Sequence, residues 1–249
     1  MQIKKNIVDV ILPNYNSSEF IEKTIQSVIN QTFKSWKLII VDDHSNEKTR
    51  KVISKYKKNK KIKIIWLSKN KGAAYCRNLA IKNSNSRYVA FIDSDDIWKK
   101  NKLRVQLNFM KKNDSNFSYT FYETFGLKNK NIKTQLTYNF SNFTKDTSIA
   151  TSTMIVTRKV IKNIKFTNTK ICEDYFFKCS ILKKIPHAHG LGKFLTKYRI
   201  RKNSLQSNKL KNLYWIWKIN SKFNKFNFYE NLISLFSIAK SSFSRYGLK

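Results

Sequence analysis

Over its first 125 residues the chain alternates short β-rich runs with segments of helical periodicity, four times in succession. The β-rich runs are residues 7–12, 36–41, 62–67 and 88–92, and the helical patterns after them are residues 19–30, 47–57, 73–83 and 101–110. Strands that alternate with helices of roughly ten residues are typical of βαβ units, in which parallel strands share one sheet. The pattern predicts an α/β fold with a mostly parallel central sheet and helices on both faces.

The second half of the chain has a different pattern. We expect its β-like pieces to complete the sheet and to shape the site of a second substrate. A C-terminal helical extension, residues 206–249, should follow a main domain of residues 1–205. The expected elements are strands in SYTFYETF, IKTQLTYNF and ATSTMIVTR, a helix from Glu173 to about residue 183, a strand at 194–200, and helices at 209–223 and 228–246.

The composition is strongly basic. Fifty Lys and Arg residues face fifteen Asp and Glu residues, which gives a formal net charge of +35, and 41% apolar residues are ample for a buried core. Such a charge fits a polyanionic partner such as nucleic acid, anionic lipid or a phosphorylated sugar. Heavy use of Lys, Asn, Ile and Phe also matches AT-rich codon bias, and much of the charge is then solvated surface. Both interpretations stay open.

The cysteines argue against two fold classes. Cys76, Cys172 and Cys179 are odd in number and form no CxxC pair, so neither a disulfide framework nor a structural zinc site is indicated. A reducing cytoplasm fits best. We expect no signal peptide and find no stretch of about 20 apolar residues, so any membrane role should be peripheral.

Seven of the fifteen acidic residues fall in three tight clusters, and polar groups follow all four predicted strands. Neighbouring carboxylates repel each other, so clusters of this kind favour a cationic or proton-donating ligand. Open α/β sheets bind ligands at the carboxyl ends of their strands, so these groups should converge on one pocket. The acidic clusters are Asp42-Asp43, Asp93/Asp95/Asp96 and Glu173-Asp174, and the polar groups are residues 13–16, 42–43, 70–77 and 93–96.

Asp42 and Asp43 close the second β-rich run, directly before a helical pattern. A carboxylate in this place can accept a hydrogen bond from a nucleobase N–H or a ribose hydroxyl. The alternative is a helix N-cap, in which Asp43 or Ser45 accepts from the unpaired N–H groups of the first turn. Two adjacent aspartates exceed what a cap needs, so we predict that one of them faces a ligand.

Asp93-Ser94-Asp95 ends the fourth β-rich run. A D-x-D at the end of a strand projects two carboxylates to one side, at a spacing suited to a hard cation that keeps phosphate oxygens as ligands. Mg²⁺ or Mn²⁺ on a nucleoside diphosphate is therefore indicated. A capped helix start at Asp96, before IWKKNKL, accounts for one acid but not for three.

Three further segments supply candidates. Gly72 lets the backbone approach a ligand, and Arg77 suits phosphate or base better than Lys71, because lysine is abundant here and arginine is scarce. A carboxylate at Glu173-Asp174, near a helix start, stays ionised and can accept a proton from a hydroxyl; a simple first-turn charge is the alternative. His189 in IPHAHG has metal-ligand spacing with His187, although histidines are more often structural or surface residues.

Five blocks together resemble glycosyltransferase family 2, whose fold is the Rossmann-like GT-A fold. The blocks, in order, are VDVILPNYNSSEFIEKTIQSVINQTFKSWKLIIVDDHS, NKGAAYCRNLAI, RYVAFIDSDDIW, CEDYFFK and YRIRKNSLQS, from about residue 8 to about residue 220. The likeness is strongest to bacterial transferases that build surface polysaccharides such as teichuronic acid or lipopolysaccharide side chains. One departure is the helix YFFK, where many family members carry a Trp.

The resemblance implies a role for each matched position. A nucleotide-sugar, a divalent cation and an acceptor hydroxyl would meet at the strand ends in an inverting, single-displacement transfer. The implied roles are Pro13 and Tyr15 beside uracil, Asp42 or Asp43 on the base, Arg77 near base and phosphates, Asp93 on the ribose within Asp93-Ser94-Asp95, Asp95 on the cation, Asp174 as general base, and Arg199, Arg201 and Ser204 over the diphosphate.

The implied enzyme is a metal-dependent hexosyl- or N-acetylhexosaminyl-transferase that uses Mn²⁺ or Mg²⁺ and a UDP-sugar, with a saccharide or lipid-linked acceptor. Aromatic residues and lysines in the last forty residues favour attachment to an anionic membrane surface, at the inner face of the cytoplasmic membrane, or packing on the main domain. A homodimer stays open. One rival is a nucleic-acid-binding basic protein, but acidic clusters at the strand ends would repel the nucleic acid. The other is a nucleotidyltransferase, which usually needs a Gly-rich phosphate loop near the first strand, and the segment PNYNSS has no glycine. An inactive transferase is disfavoured because all the motif acids remain.

Overall fold

A mixed β-sheet forms the centre of the molecule in the computed structural model, which describes residues 7–167, 169, 171–202 and 209–246. The sheet order is β3-β2-β1-β4-β9-β6-β10-β5, with β7 paired to β6 and β8 paired to β10. The strands are β1 Val8–Asn14, β2 Trp36–Asp42, β3 Ile62–Trp66, β4 Tyr88–Phe91, β5 Ile97–Trp98, β6 Phe117–Gly126, β7 Lys130–Ile132, β8 Thr137–Tyr138, β9 Ile155–Thr157 and β10 Ala188–Ile200.

The main strands run in one direction. β1 pairs in parallel with β2 and β4, β2 with β3, and β6 with β10. Only the short β9 separates the two parallel groups, and it is antiparallel to both β4 and β6. The carboxyl ends of β1, β2, β4, β6 and β10 therefore lie along the same edge of the sheet, and the predicted mostly parallel sheet is confirmed.

Helices cover both faces of this sheet. The helices are α1 Ile21–Ile29, α2 Glu47–Ser54, α3 Ala73–Lys82, α4 Lys102–Lys112, α5 Phe140–Phe143, α6 Arg158–Ile161, α7 Glu173–Leu182, α8 Lys209–Ile219 and α9 Phe228–Tyr246, with a 3-10 turn at Thr151–Thr153 and a π-helix at Asn220–Asn224. Alternate residues of β1 enter two separate cores. Ile11 packs with α3 and α7 on one side, while Val10 and Leu12 pack with α1 and α4 on the other. Burial on both faces explains why β1 is apolar nearly throughout.

Several predicted boundaries were wrong. Most of IKTQLTYNF is irregular, with strands only at Lys130–Ile132 and Thr137–Tyr138, and ATSTMIVTR opens with the 3-10 turn. β10 begins at Ala188, six residues before the predicted start, because its first residues pair with β8 and β6. After Asp96 the chain forms the short strand β5 rather than a helix. These pairings join distant parts of the chain, so local periodicity carries little trace of them.

The two predicted helices of the tail are present and pack on the sheet. Ile216 and Ile219 of α8 and Ile238 of α9 are buried in the same core as β1 and α7. Packing on the main domain is therefore one function of the tail. Across the part of the chain that is described, no helix combines the length and the apolarity needed to span a membrane.

Candidate active site

The ends of β1 and β2 are joined by a buried hydrogen-bond network. Asn14 and Asp42 lie opposite each other in the parallel register, and Asn14 Nδ2 donates to Asp42 Oδ1 at 2.7 Å and to Ser45 Oγ at 3.1 Å. The backbone N–H of Ser45 donates to the other oxygen of Asp42 at 3.1 Å, and Arg50 Nε lies 3.5 Å from it. Asp42 is thus held rigidly at the strand edge and is fully buried.

Asp43 fixes the loop that precedes α3. Its two carboxylate oxygens accept the backbone N–H groups of Lys71 at 2.7 Å and of Gly72 at 2.8 Å. Gly72 has a φ of +86°, which only glycine adopts without strain, and no atom lies within 4 Å of where a Cβ would stand. The proposed capping by Asp43 or Ser45 was wrong, because Asn46 caps α2 by accepting from the N–H of Thr49.

Arg77 connects two of the acidic clusters. It lies in α3, is almost fully buried, and its terminal nitrogens contact Asp93 Oδ1 at 2.6 Å and Glu173 Oε1 at 2.8 Å. Its guanidinium also lies 5.3 Å from the ring centre of Phe166. Burial lowers the pKa of Arg77, but the two carboxylates outweigh burial and raise it, so this residue is a permanent cation. Burial raises the pKa of Glu173 although Arg77 opposes the change.

Asp95 and Asp96 are held by the end of β10. Arg201 Nε contacts Asp95 Oδ2 at 2.7 Å, and the side chain of Arg199 donates to the backbone carbonyl of Asp95 at 3.0 Å. The backbone N–H of Arg199 donates to Asp96 Oδ1 at 2.8 Å. The guanidinium of Arg199 lies within 4.5 Å of the ring centres of Phe20 and Phe125. Arg199 and Arg201, about a hundred positions further along the chain than these aspartates, thus form one wall of the site.

The aspartates that follow β4 are buried and repel one another. Burial raises the pKa of Asp95, and the neighbouring Asp93 adds to the rise while Arg201 opposes it. Burial and the charges of Asp95 and Asp93 likewise raise the pKa of Asp96. Asp93 is paired with Arg77 and Asp95 with Arg201, so a cation would share these oxygen donors with the arginines; oxygen donors are the kind that Mg²⁺ or Mn²⁺ prefers. Among the described residues no group of three or more His, Cys, Asp or Glu side chains is arranged to hold a metal ion.

Asp174 has its own cation. Lys178, one turn further along α7, contacts Asp174 Oδ2 at 2.7 Å, and Thr151 Oγ1 donates to the same oxygen at 3.1 Å. Lys178 is buried and donates also to the carbonyl of Ile149 at 2.7 Å. Burial alone raises the pKa of Asp174, but the Lys178 ammonium and the hydrogen bonds outweigh it and lower the pKa to about 2. Asp174 is therefore ionised at every physiological pH.

A cleft of about 380 Å³ opens beside Asp93 and Asp174. One wall is formed by the ends of β6 and β10, and the opposite wall by α8 and α9. Basic and apolar side chains line it together, including Arg201, Lys209 and Arg245. The space is large enough for a sugar ring and lies directly against the carboxylate of Asp174.

The predicted site residues fall into a central group and outliers. Pro13 is buried near the end of β1, and Tyr15, just after the strand, is exposed. Ser94 lies in the turn after β4, and its carbonyl accepts from the hydroxyl of Thr24 at 3.0 Å. Ser204 lies outside the described residues. The central group is Asp42, Asp43, Arg77, Asp93, Asp95, Asp174, Arg199 and Arg201.

His189 is not brought to this group. It lies at the start of β10, while Arg199 lies near the end of the same strand, so His189 is at the opposite edge of the sheet from Asp95. Its Nδ1 is 3.0 Å from Ser115 Oγ, and burial lowers its pKa. The structure gives His189 a local partner and no contact with the predicted metal ligand.

Two residues at the site were not predicted to act there. Lys178 was visible in the sequence, because it follows Asp174 by four positions in a helical pattern, and that spacing places side chains side by side. Thr151 carried no such signal, since its contact with Asp174 depends on the 3-10 turn.

Comparison with known proteins identifies the family of the chain. The model of the family described as "Glycosyl transferase family 2" matches residues 9–184. The putative teichuronic acid biosynthesis glycosyltransferase TuaG of Bacillus subtilis is 36% identical over 229 residues, covering 90% of this chain and 91% of that protein. The Escherichia coli protein WfgD, named a UDP-Glc:alpha-D-GlcNAc-diphosphoundecaprenol beta-1,3-glucosyltransferase, is 35% identical over 220 residues, covering 86% and 85%.

Solved structures share the fold. S. aureus TarS 1-349 in complex with UDP-GlcNAc superposes with a TM-score of 0.74 at 21% identity, covering 95% of this chain and 72% of that one. The mannosyltransferase PcManGT from Pyrobaculum calidifontis, in complex with GDP-Man and Mn2+, gives a TM-score of 0.71 at 13% identity, covering 96% and 70%. The predicted GT-A fold is confirmed.

Proposed function

The chain belongs to glycosyl transferase family 2, and from that premise we propose that it moves a hexose or N-acetylhexosamine from a UDP-sugar to a hydroxyl of a saccharide or lipid-linked acceptor. The observation that carries the proposal is the buried Arg77, which holds Asp93 and Glu173 at one edge of the sheet. Arg77 thereby brings Asp93, which is assigned to the donor, next to Glu173 of the Glu173-Asp174 motif, which is assigned to the acceptor. Family membership gives no support to the nucleic-acid-binding and nucleotidyltransferase alternatives.

The donor's uridine would lie over the ends of β1 and β2. Pro13 and Tyr15 would flank uracil, Asp42 or Asp43 would accept its N–H, and Asp93 would bind the ribose. The rigid Asn14–Asp42 and Asp43–Gly72 contacts support this placement, because a nucleotide site needs donors and acceptors whose positions are fixed before the ligand arrives. Arg77 would position Asp93 rather than bind phosphate, since both of its terminal nitrogens are already engaged.

Asp95 would hold Mn²⁺ or Mg²⁺, with the diphosphate supplying further oxygen ligands. The oxygen-only donor set and the raised pKa of Asp95 and Asp96 support a cation there. Bound at this position, such a cation stabilises negative charge on the leaving diphosphate. Arg199 and Arg201, which already contact the Asp95 and Asp96 turn, would add positive charge beside the same phosphates; Ser204 is assigned there by the resemblance alone.

Asp174 would act as the general base. The acceptor oxygen attacks the anomeric carbon from the face opposite the diphosphate, the bond from that carbon to the phosphate oxygen breaks, and the hydroxyl proton passes to Asp174. UDP leaves with the bonding electrons, and the configuration at carbon inverts. The ionised state of Asp174 and its place on the wall of the cleft support this role.

The place of action that we propose is the cytoplasm, at the inner face of the cytoplasmic membrane, in the synthesis of a cell-envelope polysaccharide. The names of TuaG and WfgD, one a teichuronic acid enzyme and the other acting on a diphosphoundecaprenol-linked sugar, support an acceptor of this kind.

A donor screen tests the proposal. Purified protein is incubated with a panel of UDP-sugars with and without Mn²⁺, and thermal stability and UDP release are measured. At least one UDP-sugar should raise the melting temperature in the presence of Mn²⁺, because a ligand that binds only the folded state stabilises it. Asp174→Asn should retain this shift and lose acceptor-dependent UDP release. If no UDP-sugar binds with Mn²⁺ present, the proposed function is wrong.

A further inference from the structure

The inward face of α9 carries buried polar side chains beside the core residue Ile238. Asn231 and Ser234 are each 1% exposed, and both find hydrogen-bond partners inside the protein. Asn231 Nδ2 donates to Ser221 Oγ at 2.7 Å, and Ser234 Oγ donates to the carbonyl of Thr144 at 2.6 Å. Further along, Ser241 Oγ donates to Asp146 at 3.0 Å. Polar contacts thus contribute much of the docking of this helix on the domain.

The outward face of α9 is apolar. Tyr229, Leu232, Ile233, Phe236 and Phe243 recur at the spacing of one helix face, and all are exposed; Tyr229 reaches 75% and Phe236 74%. We call these five residues the outer stripe. A helix on the surface of a soluble domain normally keeps its apolar residues inward and presents polar residues to water, so five exposed apolar residues on one outward face are unusual.

The outer stripe continues onto α8. The ring of Phe228 lies 5.6 Å from that of Trp217 and 5.9 Å from that of Tyr229, so aromatic side chains connect the two helices. Leu210 and Tyr214 of α8 are exposed as well. Exposed apolar side chains grouped in this way on two neighbouring helices are rare on a soluble monomer and mark a site for a partner.

The charge around the stripe identifies the partner. Residues 209–246 hold seven basic side chains, at 209, 211, 218, 222, 225, 240 and 245, against the single acid Glu230. Lys240 lies on the outer face itself, between Phe236 and Phe243. Exposed aromatic and aliphatic side chains among lysines match the boundary between anionic headgroups and acyl chains, whereas a second copy of this basic chain would repel the first.

We propose that the outer stripe of α9 inserts into the headgroup region of an anionic bilayer and holds the enzyme there. The helix would lie in the plane of the membrane, without crossing it. Ile238 and Ser242, on the opposite side of the same helix, line the cleft that contains Asp174, and Phe243 at the end of the stripe also borders it. The role of this docking rests on the proposed function. Docking through the stripe would bring the cleft close to the headgroups, within reach of a sugar carried on a lipid diphosphate.

Vesicle co-sedimentation tests the surface without any substrate. The full chain is mixed with phosphatidylglycerol–phosphatidylcholine vesicles or with phosphatidylcholine vesicles alone. Native protein should bind the anionic vesicles at least about tenfold more strongly. Ile233→Ser/Phe236→Ser should lose about tenfold of that binding, because both side chains leave the apolar surface. The matched control is Ile7→Ser/Leu136→Ser, which removes two exposed apolar side chains outside the tail and should bind as the native protein does.

Two results would overturn the inference. The first is that native protein does not bind anionic vesicles, or that the stripe variant binds them as well as the control does. The second is that sedimentation velocity shows a dimer for native protein and a monomer for the stripe variant, while vesicle binding is unchanged. The stripe would then be a subunit interface. Melting temperature and UDP release with a water-soluble acceptor should not change in the stripe variant. Loss of vesicle binding with UDP release intact therefore separates this inference from the proposed function.

Discussion

The two acidic groups at the carboxyl edge of the sheet are neutralised in opposite ways. Asp174 has a buried lysine and a threonine hydroxyl as permanent partners, and its pKa is lowered to about 2. Asp95 has the partly exposed Arg201 as its ion-pair partner, Asp96 accepts the backbone N–H of Arg199, and burial raises the pKa of both. In the function proposed above, Asp174 would act without a ligand, whereas Asp95 would be completed by one.

The largest expected effect comes from removing the carboxylate of Asp174, which has Lys178 as its own cation. Asp174→Asn should lower the transfer rate about a thousandfold, because the amide accepts no proton from the acceptor hydroxyl. Binding of the UDP-sugar, measured by calorimetry, should stay within a factor of about three, since the donor does not depend on this group. Asp114→Asn, an exposed acid away from the site, serves as control. If donor binding fell as much as the transfer rate, Asp174 and the Asp95–Asp96 pair would not have the separate roles proposed for them.

Removing the carboxylate of Asp95 should affect both the transfer rate and the response to Mn²⁺. Asp95→Asn should lower transfer about a hundredfold and should abolish the added thermal stability that Mn²⁺ gives in the presence of UDP. Without Mn²⁺ and UDP, the melting temperature should stay close to that of native protein, because Arg201, the partner lost, is partly exposed. A variant that still gains full stability from Mn²⁺ and UDP would show that Asp95 does not hold the cation.

Arg77 links the two groups, and a lysine tests the link. Arg77→Lys keeps the charge but cannot place nitrogens on Asp93 and Glu173 together, so we expect about tenfold slower transfer and a loss of about 2 kcal/mol in the free energy of unfolding. Arg104→Lys is the matched control, because Arg104 is exposed and donates only to the carbonyl of Thr32. Chemical denaturation and initial rates measure both. Equal behaviour of the two variants would remove Arg77 from the site.

The smallest effect at neutral pH should come from Lys178→Met. Without the ammonium, burial raises the pKa of Asp174, so its proton is retained at higher pH. In native protein the charge of Asp174 stabilises the fold above the pKa of an unfolded aspartate and is lost only as pH falls towards about 2. The acidic limb of the kcat/KM profile should therefore move to higher pH, with about a threefold loss at pH 7. Lys184→Met, which is exposed, should leave the profile unchanged.

The sequence was sufficient to predict the elements that place side chains at the carboxyl ends of the strands. The four βα units and the helix that begins at Glu173 are present, because their apolar periodicity agrees with their final burial. The placement of Asp42 and Asp93 at one edge followed from the parallel order of the strands. The individual roles of these residues stay predictions.

Contacts between distant segments were beyond sequence reasoning. The backbone of Arg199 binds Asp96 across 103 positions, and nothing local distinguishes Asp96 as its partner from a helix cap. The outward direction of the apolar stripe on α9 was equally hidden. Its pattern shows a helix with one apolar face, but only the packing of Asn231 and Ser234 on the domain shows that this face points outward.

Arg77 has a kinetic consequence. A single rigid guanidinium contacts a carboxylate on the donor side and another beside the general base, so neither can shift while the other stays still. In the proposed mechanism, ribose bound to Asp93 would reposition the start of α7 before the acceptor arrives. The reaction should show compulsory order, with the nucleotide sugar entering first and the spent nucleotide departing last.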